Sequence, residues 1–79
     1  MVKRTYEIVE VNGKFCLMEH YSSKSTFWGK CEFSNILNLE SRCFASVGYA
    51  AHKDYWTSDS VLLNNIKSCI EAVRSKELN

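Results

Sequence analysis

Along the last third of the chain, apolar residues recur at the three-and-four spacing that paints one side of a helix. The segment is 57–76, TSDSVLLNNIKSCIEAVRSK, with Leu62, Ile66, Cys69, Ile70 and Val73 in that stripe. Asn64, Lys67, Ser68, Glu71 and Ser75 occupy the other side and suit a face in water. Thr57 or Ser58 can accept a backbone N–H of the first turn, and Asp59 brings negative charge to the positive end of the helix dipole. Arg74 and Lys76 sit near the other end, where positive charge is favoured. A helix of this length is marginal in water unless its stripe is buried. The pattern therefore demands a receiving surface upstream.

That surface reads as a small antiparallel sheet. Residues 4–11, RTYEIVEV, and 14–21, KFCLMEHY, are rich in β-branched and aromatic residues, and Asn12-Gly13 separates them. Asn-Gly in this setting specifies a two-residue hairpin turn, because both turn positions need positive φ. A two-residue turn sets the register, with Val11 opposite Lys14, Val9 opposite Cys16 and Ile8 opposite Leu17. One face then carries Tyr6, Ile8, Phe15 and Leu17, and the other Val9, Val11, Cys16 and Met18. A sheet with one buried face alternates between apolar and polar residues. Here both faces are partly apolar, and a single helix covers only one of them. The second is expected to be covered either by residues 34–56 folding back or by another chain, with another chain favoured.

Between hairpin and helix the pattern is looser. Residues 22–25, SSKS, read as a polar loop. Residues 26–33, TFWGKCEF, alternate as a third strand, with Gly29 marking a bulge or a close backbone approach. Residues 34–41 suit either a short helical turn or a wide connection. Residues 42–51, RCFASVGYAA, suit a fourth strand, and 52–56, HKDYW, a polar-aromatic connector into the helix. The expectation is a single α+β domain over 1–79: an antiparallel sheet of three to four strands with one C-terminal amphipathic helix on one face.

Composition narrows the functional classes. A chain of 79 residues buries only about 60% of its unfolded surface, which makes a partner or self-association as a homodimer attractive. A net charge of +1, with acids and bases mixed, is not the basic stripe of a nucleic-acid protein. No apolar run reaches the roughly 18 residues of a membrane span and no signal-peptide core stands out, so a cytoplasmic protein with no membrane partner is expected. The four cysteines, Cys16, Cys31, Cys43 and Cys69, lack any C-x-x-C spacing. All four fall on the apolar phase of an expected element, so buried free thiols are expected rather than disulfides or a metal site.

Candidate chemistry is sparse. Cys16 and His20 lie about 13 Å apart along a strand, at a rise of roughly 3.3 Å per residue, too far to share a proton or a metal. Glu7, Glu10 and Glu19 read as solvated strand charges. The glycines Gly13, Gly29 and Gly48 are scattered, so there is no phosphate loop and no cofactor is implied. The reading favoured is a non-enzymatic protein-binding module, and small inhibitors or adaptors of the kind encoded by phages or mobile elements match its size class. Expected contact residues are Val9, Val11 and Met18 on the second sheet face, with Trp28 and Lys30 on the third strand, since tryptophan is enriched in binding hot spots. The rival reading is a single-stranded nucleic-acid-binding protein stacking bases on sheet aromatics beside Lys24 and Lys30.

Overall fold

The computed structural model describes residues 2–25 and 29–77. Among these, β1 (Val2–Val11), β2 (Lys14–Ser25), β3 (Gly29–Leu37) and β4 (Phe44–Ser46) form an antiparallel four-stranded sheet in the order β1-β2-β3-β4, followed by the helix α1 (Ser60–Glu77). The α+β architecture is the one expected.

Asn12 and Gly13 have φ of 52° and 80°, so the first turn is the type I′ hairpin that twisted strands favour. Its register places Val11 opposite Lys14, Val9 opposite Cys16 and Ile8 opposite Leu17, as expected. Beyond that hairpin the expected boundaries shift. Residues 22–25 are not a loop: β2 continues to Ser25 because Ser22 and Ser23 pair with β1 on one side and β3 on the other. The described part of the third strand begins at Gly29, and residues 26–28 of the expected strand lie outside the described residues. Gly29 is a left-handed residue with φ of 79° and open space where a Cβ would stand, so it serves chain reversal and not close approach. The uncertain stretch after Phe33 is neither a helical turn nor a loop at its start, since Ser34, Asn35, Ile36 and Leu37 complete β3. The fourth strand is reduced to three residues, and the chain then coils through 3₁₀ turns at Val47–Tyr49 and Lys53–Tyr55.

Those turns answer the question of the second face. Cys16 and Ile36 are buried there beneath Tyr55, with Val9, Met18, Ala45, Ala50 and Trp56 packed around them. Residues 45–56 of this chain supply that cover. The indole N–H of Trp56 donates to the Ala50 carbonyl, tying the cover to itself, while Leu39 N–H donates to the Asp54 carbonyl at 2.9 Å. The chain then rounds the end of the sheet. Phe15 and Thr57 exchange backbone hydrogen bonds of 2.7 and 2.9 Å, using the part of β2 that β3 is too short to reach.

On the first face, Tyr6, Leu17, Leu37 and Leu63 form the buried core, with Ile8, Phe15, Leu39, Phe44, Ile66 and Ile70 around it. The helix stripe is rotated from the expected one. Leu63 is its fully buried residue, Leu62 is half-buried, Cys69 is exposed and Val73 is 55% exposed. The N-cap also differs: Asp59 Oδ1 accepts from Leu62 N–H at 3.1 Å, and Thr57 Oγ1 accepts from Asp59 N–H. Asp59 caps because the Phe15–Thr57 bridge holds Thr57 extended and starts the helix three residues later. Of the four unpaired cysteines only Cys16 is buried; Cys31, Cys43 and Cys69 are exposed, against expectation.

Candidate interaction surface on the uncovered end of the sheet

Of the expected contact residues, Val9 and Met18 pack against one buried cluster, and Val11 and Lys30 stand at opposite ends of the sheet. Val9 and Met18 are half-buried under the Tyr55–Trp56 cover, so they do not form an open patch. Val11 is 49% exposed, at the hairpin end. Lys30 pairs with Lys24 in the β2–β3 ladder, at the opposite end of the sheet. Trp28 lies outside the described residues, as do the side chains of Lys24 and Lys30.

Cross-strand register shows which side chains share a surface instead. At the end remote from the Asn12-Gly13 turn, Arg4 opposes Tyr21 and Tyr21 opposes Phe33. These three lie in one row on the helix-bearing face. The Tyr21 and Phe33 rings stack with centroids 4.5 Å apart, and the Arg4 guanidinium stands 5.3 Å from the Tyr21 ring centre. Phe33 remains 49% exposed. An adjacent row is sealed by polar bonds. Tyr6 Oη donates to Glu19 Oε2 at 2.9 Å, Asn35 Nδ2 donates to Glu19 Oε1 at 3.2 Å, and Arg74 Nε donates to Tyr6 Oη at 3.3 Å. Glu19 is thus a buried, satisfied acid, 8% exposed, rather than the solvated strand charge expected. Burial pushes the Tyr6 phenol above its ordinary value; the Arg74 hydrogen bond opposes this and Glu19 adds to it.

The reverse face at the same end is polar. Lys3, Thr5, His20, Ser22, Glu32 and Ser34 border an open depression of about 510 Å3. His20 bridges three strands, with Nε2 3.1 Å from Glu7 Oε1 and Nδ1 2.8 Å from Ser34 Oγ. The Glu7 carboxylate accepts, so Nε2 carries a proton; in the neutral ring Nδ1 then accepts from the Ser34 hydroxyl. A serine, histidine and acid in series supply the proton-relay part of a hydrolase site. Backbone N–H groups of paired strands lie in the plane of the sheet, so the described strands offer no backbone oxyanion hole on this face. Among the described residues no group of three or more His, Cys, Asp or Glu could hold a metal ion. No described helix is long and apolar enough to cross a membrane.

Only the Arg4–Tyr21 half of the aromatic row could be read ahead of the structure, from the hairpin register. Phe33 joins through β2–β3 pairing, whose register no two-residue turn announces. Comparison with protein-family models, with curated proteins and with solved structures finds no match to this chain.

Proposed function

We propose that this chain is a non-enzymatic protein-binding module, of the inhibitor or adaptor kind, which engages its partner through the uncovered end of the sheet. The observation that carries this reading is the Arg4–Tyr21–Phe33 row: a stacked aromatic pair with a guanidinium against it, half exposed on rigid paired strands. Tyrosine and arginine dominate binding hot spots because they bury large area at low conformational cost, and a paired strand has already lost that freedom. The polar rim of Lys3, Glu32 and His20 on the reverse face adds orientation without a deep cleft.

A second reading, single-stranded nucleic-acid binding, draws on the same row, since an exposed ring beside arginine is also a base-stacking platform. The net charge of +1 and the acids Glu7 and Glu32 near the row weigh against it.

The test is affinity capture with mass spectrometry, using wild type beside Phe33→Asp. A partner retained at moderate salt by the wild type and lost by a variant of unchanged melting temperature supports the first reading. Retention by the variant removes this row from the interface. Binding to an oligothymidylate that weakens by orders of magnitude between about 50 and 200 mM salt would establish the second reading instead.

A further inference from the structure

A groove separates α1 from the β3–β4 corner, because the helix packs chiefly on β1 and β2 and leaves Phe44 half-buried on its flank. Its volume, about 400 Å3, lies in the range of small-ligand sites, roughly 300–1,000 Å3. The walls are apolar where Phe44, Ile66, Ile70 and Val73 meet, with Val73 55% exposed along the rim. Two guanidinium groups, Arg42 and Arg74, also line it, and among the described lining residues none is acidic. Arg74 already donates to Tyr6, whose hydroxyl donates to the buried Glu19, so that carboxylate lies behind the wall and offsets part of the charge. Arg42 is exposed and adds a second positive charge.

The conformation of Arg42 is independently unusual. Its φ is 62°, the left-handed region that a non-glycine residue seldom occupies. The turn before it is closed tightly: Asn38 Oδ1 accepts from Glu40 and Ser41 N–H at 2.9 and 3.0 Å, and Arg42 N–H donates to the Asn38 carbonyl at 2.8 Å. Glycine would adopt this conformation without strain. An arginine stands there instead, lining an apolar groove.

We propose that this groove binds a small amphipathic carboxylate, its apolar body on Phe44, Ile66, Ile70 and Val73 and its charged end at Arg42. A carboxylate satisfies a guanidinium with charge-assisted hydrogen bonds, whereas an apolar ligand with a neutral or cationic head leaves Arg42 unpaired or repelled. None of the groove residues belongs to the Arg4–Tyr21–Phe33 row, so the two sites can be tested apart.

Cys69 lines the groove as an exposed thiol and serves as the reporter. Decanoate should slow its alkylation saturably in the intact chain, as mapped by peptide mass. Decanol and decylammonium should act at least about tenfold more weakly, the loss expected when a charge-assisted contact is removed. Arg42→Gly should melt no lower than the wild type yet bind decanoate about tenfold more weakly, and Arg42→Glu should abolish protection. Equal protection by decanol, no protection by millimolar decanoate, or undiminished binding by Arg42→Gly would each overturn the assignment.

Discussion

Tyr6 shows how one side chain ties structure to measurable stability. Its hydroxyl is the donor to a buried carboxylate and the acceptor for Arg74, so it links β1, β2 and α1 at one point. Tyr6→Phe leaves Glu19 Oε2 without this donor, and unfolding by urea should show a loss of about 1–3 kcal/mol at neutral pH. The sign with pH follows from the raised phenol. A group whose pKa is higher folded than unfolded favours the folded state while it is protonated. That contribution is complete below the ordinary value of 10.0 and declines as pH rises through the higher folded value. Wild-type stability should therefore fall on the alkaline side, and Tyr6→Phe should flatten that fall. The thiols divide in the same residue-by-residue way. Burial raises the Cys16 thiol, with a Val9 backbone hydrogen bond acting against it and Glu7 adding to it. Alkylation of the native protein should label Cys31, Cys43 and Cys69, and label Cys16 only after unfolding. Labelling of Cys16 at the rate of the others would mean that the second core opens readily.

For the helix, the decisive quantity is which way the stripe points. Leu63, Ile66 and Ile70 face the sheet, and Val73 faces the groove. Leu63→Ala should cost about 2–5 kcal/mol in chemical denaturation, against less than about 1 kcal/mol for Val73→Ala. The reverse order would mean that the helix is rotated in solution. The periodicity that identifies the helix does not choose between neighbouring faces here, because Val61, Leu62 and Leu63 are consecutive and any of them can lead the stripe. The choice is made by the Phe15–Thr57 bridge, which fixes the angular phase at which Asp59 starts the first turn.

At the scale of the molecule, two covers on two faces replace the single buried face of a simpler α+β sandwich. The helix closes one face, residues 47–56 close the other, and the end with Arg4, Tyr21 and Phe33 projects past both. An extent of 41 Å along the longest axis against 20 Å along the shortest expresses that projection. Val11 stands beside the covered second face but outside its core, so Val11→Lys should shift the melting transition little. Ile36→Ala, in the centre of that core, should lower stability by about 2–5 kcal/mol. Strong destabilisation by Val11→Lys would show that the hairpin end is core, and a neutral Ile36→Ala would mean that the 3₁₀ cover is not packed in solution.

What the amino-acid order determined by itself is local. Asn12-Gly13 sets a turn in which both residues need positive φ, and through it ten paired positions of the first hairpin. The three-and-four spacing after Thr57 determines that a helix forms. Tertiary structure decided everything that depends on distant pairing. It extended β2 through the serines, because a backbone flanked by strands on both sides gains ladder bonds that outweigh polar, loop-like side chains. It also cut the fourth strand to three residues so that Tyr55 could reach Cys16 and Ile36. The aromatic row and the arginine-lined groove belong to this second class. Phe33 stacks on Tyr21, and Arg42 lines one groove with α1, only once strands and helix far apart in the chain have packed, and no spacing within either segment carries that information.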